Sequence, residues 1–283
     1  MSTKAADGPI AVWKAEGNAN DSAGTADGTL LNGTSFAPTI VPAETGQAFS
    51  LDGIDDEIRF PASPALNITT GLTVCGWVRT TGTAAFSGLL DRFTQGGETT
   101  GFQVSMSGDN GFPPNRSGIL RADLGVGTGY TTAFNLKRVD DGIPHHFALV
   151  WDGLQALLYV DGTAGDPTLV SDFVPANSTD IVLGSDTDGA GRHFNGQLDE
   201  IAIFDRPLST DEVLALAGTP RLNIVFTAPN SVLVSWPAVA TGFRLQANQT
   251  FDFATWATAA SQPDNKAFFS PTAQIQFYRL IKP

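Results

Sequence analysis

Between Leu198 and Phe204 apolar side chains fall on both faces of a pleated backbone, Ile201 and Ile203 on one and Ala202 and Phe204 on the other, which predicts an interior strand. The same alternation groups Asp199 with Ile201, Ile203 and Asp205. Directly downstream, Ser209 and Glu212 have the spacing of a capping box, and Leu208 and Val213 that of a hydrophobic staple. Gly218 and Pro220 supply the stop, so a short helix is expected between them. Further strands are expected at Leu72 to Arg79, Ser87 to Phe93, Gly101 to Ser107, Gly118 to Asp123 and Ile181 to Gly184. The clearest hairpin runs from His145 to Trp151 through Asp152-Gly153 into Leu154 to Val160, where Asp161-Gly162 turns again.

After Gly218 the texture changes. Thr219-Pro220 breaks the chain, and shorter period-two segments follow at Ser231 to Trp236, Gly242 to Gln246 and Gln274 to Leu280. They predict a small β-sandwich, and hence two domains, residues 1–219 and 220–283, within the 283 residues. Thirty glycines and seventeen prolines fit many short strands joined by tight turns, so the class is all-β.

Lys plus Arg number 16 against 29 Asp plus Glu, a formal charge of −13 that disfavours nucleic acid or an anionic membrane as partner. No stretch approaches the ~20 apolar residues needed to span a bilayer, so no membrane insertion is expected. Cys75, the only cysteine, forms no intrachain disulfide, and its neighbours Val74 and Trp77 predict a buried thiol.

The run F-N-G-Q-L-D-E-I-A-I-F-D-R-P-L-S-T-D-E-V from Phe194 to Val213 resembles the end of a laminin-G-like, concanavalin A-like jelly-roll domain. Four further landmarks extend the resemblance over residues 9–218. They are Trp13 to Gly24, Ala48 to Ile58, L-T-V-C-G-W-V-R at Leu72 to Arg79, and His146 to Gly162. The resemblance implies a jelly-roll sandwich, while a fold of this kind hosts lectins, enzymes, adhesins and spacers alike. The V-L-V-S-W-P run and the terminal F-Y-R-L run resemble a truncated fibronectin-III-like module. An exported protein, secreted or on the cell surface, is also implied; the first residues show no basic region followed by an apolar core, so no signal peptide is expected in this chain.

Related glucanases carry catalytic carboxylates as E-x-D-x-E on one strand, and the Asp199 strand offers isoleucines where the second and third should stand, so no paired acid and base is expected there. His145, His146 and His193 form no H-E-x-x-H, and no G-x-S-x-G occurs. Adjacent His145 and His146 must point to opposite faces of their strand. Gly125 to Gly129 lacks the strand-to-helix context of a phosphate loop and is read as a plain loop. Loops rich in Asp, Asn and Gly provide oxygen ligands for calcium, and Glu16 to Gly24 is such a loop. In a jelly roll the first and last strands are adjacent, so a structural Ca2+ is expected at Asn18, Asp21 and Asp199, the alternative being that Asn18 and Asp21 make turn hydrogen bonds. Two more acidic clusters, Asp52 to Glu57 and Asp186 to Asp188, read as solvated turns.

For glycan recognition the sequence offers aromatic and charged residues in Asp91-Arg92-Phe93, Phe112, Arg116, Tyr130 and Arg192-His193-Phe194, from which Arg92, Arg116 and Tyr130 are taken as the ligand-binding set. The expected function is a non-catalytic module that binds a polysaccharide or surface glycan. The alternatives are a structural or adhesion module with a surface protein as partner and, behind it, a hydrolase or lyase.

Overall fold

The computed structural model describes residues 8–42, 44–82, 84–95, 97–108, 116–175, 178–187, 191–228, 231–237, 240, 242–249, 256–259, 265–269 and 276–281. The chain divides into two compact units, Met1–Leu208 and Ser209–Pro283. The first contains β1 (Ala11–Trp13), β2 (Thr29–Leu31), β3 (Ser35–Pro38), β4 (Gln47–Asp52), β5 (Glu57–Phe60), β6 (Leu72–Arg79), β7 (Gly88–Thr94) and β8 (Thr100–Met106). It continues with β9 (Ile119–Gly125), β10 (Tyr130–Arg138), β11 (His145–Trp151), β12 (Gln155–Val160), β13 (Thr163–Ala164), β14 (Thr168–Leu169), β15 (Ile181–Leu183) and β16 (Asn195–Phe204).

Among the described residues these strands form two antiparallel sheets. A nine-stranded sheet has the order β13-β12-β11-β6-β16-β4-β3, with β1 added on β16 and β14 on β12; a seven-stranded sheet has the order β10-β9-β8-β7-β15-β5-β2. Alternation turns Val74, Val78, Phe147, Leu149, Ile201 and Ile203 of the first sheet toward Ile58, Phe60, Leu90, Val104, Leu120 and Leu183 of the second, in one shared core. Trp13 of β1 stacks on Phe60 of β5 with ring centroids 4.0 Å apart, and its Nε1 donates to the Ala26 carbonyl at 2.8 Å, so the ring joins the sheets without an orphaned polar atom. The first and last strands of the unit do pair, Ala11 opposite Ile203 and Trp13 opposite Ile201.

The hairpin of β11 and β12 turns at Asp152-Gly153, where Gly153 takes φ +95° and the Asp152 carboxylate accepts from the Leu154 and Gln155 amides. Cys75 is 2% exposed, and burial pushes its thiol up to about 12, the inert thiol its neighbours predicted. His145 and His146 face opposite ways: His145 meets Asp161 and Asp141, whereas His146 meets the Trp77 ring edge-on at 5.5 Å.

β16 departs from simple alternation. Asp199 pairs with Trp77 and Ala202 with Cys75, so an extra residue is inserted between them, and Glu200 sits in the left-handed region at φ +47°. This β-bulge resets the faces. Leu198, Ile201 and Ile203 enter the core, while Asp199 lies on the opposite face in register with Trp77, not beside the isoleucines as period two predicted.

The second unit opens with α1 (Thr210–Leu216). Its capping box is complete: Ser209 Oγ accepts from the Glu212 amide, and the Glu212 carboxylate accepts from the Ser209 amide. At the other end Gly218, at φ +80°, donates to the Ala215 carbonyl and Thr219 to that of Leu214, a Schellman arrangement that needs the left-handed glycine. Six strands follow in the described residues: β17 (Asn223–Ala228), β18 (Ser231–Ser235), β19 (Arg244–Asn248), β20 (Ala257–Thr258), β21 (Lys266–Phe269) and β22 (Phe277–Ile281). They make two three-stranded sheets, β17-β18-β21 and β20-β19-β22, around Val232, Val234, Trp236, Leu245 and Ala267. Ala215 of α1 belongs to that core, so the helix goes with the second unit and the division falls eleven residues before the expected boundary at 219. Gln274 and Ile275, expected in the last strand, lie outside the described residues. No helix among the described residues is long and apolar enough to cross a membrane.

Candidate functional site

The face of the seven-stranded sheet turned away from the core carries a polar row that follows from strand register alone. Leu120, Ala122 and Leu124 of β9 point inward, which leaves Arg121 and Asp123 outward. Thr132 of β10 lies opposite Asp123, Asp123 opposite Gln103 of β8, and Gln103 opposite Asp91 of β7. Four strands thus bring Thr132, Asp123, Gln103 and Asp91 into one line. Beside it runs a second line in which Ser105 of β8 faces Arg121 and Arg121 faces Phe134 of β10.

Hydrogen bonds tie the polar row together. Asp123 accepts from Gln103 Nε2 at 2.6 Å, from Thr132 Oγ1 at 2.5 Å and from Arg121 Nη2. Asp91 accepts from the Phe93 amide at 2.7 Å and from Thr187 Oγ1 at 3.0 Å. Burial pushes its carboxyl up to about 7 despite these donors, so Asp91 is largely protonated below neutral pH. Asp186 is ion-paired with Arg192 at the β7 side.

Aromatic rings gather around the guanidinium groups. Arg116 lies 3.6 Å above the Phe134 ring centroid, and Arg121 lies 5.1 Å from Phe86 and 5.9 Å from each of Tyr130 and Phe134. Phe86 holds this position with φ +64°, unusual for a bulky residue. Tyr130 is 48% exposed and meets Phe93 edge-on at 5.7 Å, so this end of the face opens to solvent. Burial alone does not set this face apart from the outer face of the nine-stranded sheet, where Thr73, Cys75, Trp77, His146 and Asp199 are buried, because Asp91, Ser105 and Asp123 are buried here too.

Of the expected ligand-binding set, the structure brings Arg116 and Tyr130 to this cluster and sends Arg92 elsewhere. Arg92 is opposite Phe102, on the inward side, and is 1% exposed. Its guanidinium donates to the carbonyls of Leu66 and Thr179 and to Asn67 Oδ1, which makes it a structural cation. Phe112 and Asp188 lie outside the described residues. Asp91 belongs to the sequence candidate Asp91-Arg92-Phe93, whereas nothing in the sequence singles out Gln103, Ser105, Arg121, Asp123 or Phe134, although the alternation L-R-A-D-L over Leu120 to Leu124 already sets Arg121 and Asp123 on one face.

The residues expected to hold calcium are each engaged by protein donors. Asp21 accepts from four backbone amides, those of Val12, Ala23, Gly24 and Ala26. Asn18 accepts from the Asn20 amide and donates to the Glu16 carbonyl, an Asx turn of the kind the alternative reading described. Asp199 accepts from Thr39 Oγ1 at 2.6 Å and from the amides of Ile40 and Glu200. Burial raises its carboxyl above the usual range, a shift opposed by these three donors. A calcium ligand turns its oxygens to the ion, whereas these oxygens face N–H and O–H groups; as arranged, the three do not fit the ion. Among the described residues, the carboxylate oxygens of Asp52, Asp55 and Asp56 lie within 4.8 Å of one another, and Asp56 accepts from the Asp52 amide at 3.0 Å.

The sequence profile of the concanavalin A-like lectin/glucanases superfamily matches residues 52–214. No curated protein matches the sequence. Among solved structures, domain 4 of AbnA, a GH43 extracellular arabinanase from Geobacillus stearothermophilus in complex with arabinotriose, is similar at TM-score 0.59 and 18% identity over 75% of this chain and 98% of that one. The binding domain of Paraclostridial Mosquitocidal Protein 1 is similar at TM-score 0.60 and 14% identity, over 90% of this chain and 64% of that one. The binding domain of botulinum neurotoxin serotype G follows at 0.56 and 16%, over 75% and 51%. The chain thus spans less than two thirds of either toxin domain, and at these identities the likeness is one of fold.

Proposed function

The chain belongs to the concanavalin A-like lectin/glucanases superfamily, and we propose that its first unit is a non-catalytic module that binds a polysaccharide or surface glycan on the outer face of the seven-stranded sheet. One observation carries this reading: rings of Phe86, Tyr130 and Phe134 stand beside the polar row Thr132, Asp123, Gln103 and Asp91, the pairing of stacking surface and oriented hydrogen-bonding groups that a sugar needs. The similarity to a domain in complex with arabinotriose and to toxin binding domains supports it. An extracellular setting, secreted or on the cell surface, goes with it. A glycan and polysaccharide array tests the reading directly: binding lost in a folded Tyr130→Ala variant is expected, and silence across the array at high protein concentration would count against it.

A second reading, a structural or adhesion module with a surface protein as partner, has its own observation. The edge strand β17 exposes Ile224, Val225 and Phe226, the last at 82%. Concentration-dependent self-association in ultracentrifugation, with no glycan bound, would favour it.

A further inference from the structure

We propose that the glycan carries an anionic group, a carboxylate or a sulfate ester, and that Arg116 and Arg121 hold this group with Ser105 Oγ donating to it. The inference rests on the glycan-binding reading and adds the chemical class of the ligand and the residues that select it. Arg116 Nε and Nη1, Arg121 Nε and Ser105 Oγ are buried polar atoms without a hydrogen-bond partner. Buried donors are almost always satisfied, so four that are not, at one end of one sheet face, ask for an acceptor. Ser105 is 1% exposed and lies directly opposite Arg121, on the same face. Arg121 in turn lies opposite Phe134, the ring over which Arg116 stacks. The four atoms therefore belong to one neighbourhood.

Charge decides which acceptor suits it. Arg121 already has Asp123 as an ionic partner, whereas Arg116 has no acidic partner among the described residues. Asp123 thus answers one of the two guanidinium charges and leaves the other. Burial, and then the like charge of Arg121, both hold the Arg116 guanidinium below its usual value, so the two cations sense each other. A sugar hydroxyl would satisfy an N–H but leave this repulsion, while an oxyanion relieves both and forms charge-assisted hydrogen bonds. Against a net charge of −13 over the chain, such selectivity has to be local, and these two arginines supply it. A carboxylate and a sulfate ester share this chemistry.

The test is calorimetric titration of the full chain with paired oligosaccharides: oligogalacturonate and its methyl ester, and a sulfated galactan oligosaccharide and its desulfated form. Binding of either anionic member, at least about tenfold tighter than its neutral pair, is expected. Arg116→Gln should abolish that difference and Ser105→Ala should reduce it, each with an unchanged far-ultraviolet spectrum and melting transition. The uronate and sulfate arms identify the source of the oxyanion. Equal binding of both members of a pair, unchanged in Arg116→Gln, would overturn the inference and leave glycan binding standing. Binding of neither member of either pair, repeated across a wider array of acidic and neutral polysaccharides, would overturn both. Should Arg116→Gln fail to fold, the ratio of anionic to neutral affinity in the wild type and in Ser105→Ala decides alone.

Discussion

Arg92 and Phe102 lie directly opposite each other in β7 and β8, and because Phe102 points into the core, Arg92 does too. A guanidinium inside a sandwich survives only with its donors used, here by the carbonyls of Leu66 and Thr179 and by Asn67 Oδ1. Arg92→Ala is therefore expected to act on stability rather than on binding. Stranding these acceptors costs roughly 3 kcal/mol or more, a fall of ~6–12 °C in melting temperature for a domain of this size. Calorimetric melting checks it; a variant that melts like the wild type but loses a glycan ligand would return Arg92 to the binding set.

Acidification separates two buried groups by sign. Burial holds the His146 imidazole down at about 4, against an ordinary value near ~6.5, so the unfolded chain takes up this proton first and stability is lost as pH falls through that interval. For Asp91, pushed up to about 7, the folded state holds the proton longer, and stability is lost as pH rises from ~4 to 7. Relative to the wild type, His146→Phe should gain melting temperature on acidification and Asp91→Asn on alkalinisation. The two difference curves should slope in opposite directions; parallel slopes would refute the assignment.

Melting with calcium and with chelator addresses Asn18, Asp21 and Asp199. Occupancy at ~100 times the dissociation constant would add about 2.7 kcal/mol. Since Asp21 is already saturated by four amides, coincident curves are expected. A calcium-dependent rise that vanishes in Asp21→Asn would mean that the loop rearranges around the ion.

No turnover is expected on β-glucans, alginate or pectic substrates. Asp91 and Asp123 are separated by the strand that carries Gln103, about 10 Å at the usual strand spacing, and each is tied into its own hydrogen bonds. That spacing is about twice the ~5 Å of a retaining pair and at the upper end of what an inverting pair uses. New reducing ends or unsaturated products, lost in Asp91→Asn without unfolding, would show catalysis.

Much of the architecture is legible in the sequence because local chemistry dictates it. The Ser209 and Glu212 pair writes its own helix start, Asp152-Gly153 its hairpin, and Leu72 to Arg79 a strand whose bounds match. The bulge at Glu200 is not legible, since a period-two pattern carries no mark of an inserted residue, and the face of Asp199 was misread for that reason. The candidate site is harder still. Its polar row joins Asp91 to Thr132 through the registers of four strands, and register is a property of pairs of strands rather than of either one. Tyr130 is visible as an aromatic beside a glycine-rich turn; its neighbour Phe134 requires β10, a strand whose many polar residues hide it.

Where a glycan seats is measured most directly by amide chemical-shift mapping with a ligand taken from the array. Perturbations are expected to concentrate on the outer-facing residues of β8, β9 and β10, Gln103, Ser105, Arg121, Asp123, Tyr130 and Phe134, and to disappear in Tyr130→Ala. Shifts confined to the nine-stranded sheet or to residues 209–283 would contradict this placement.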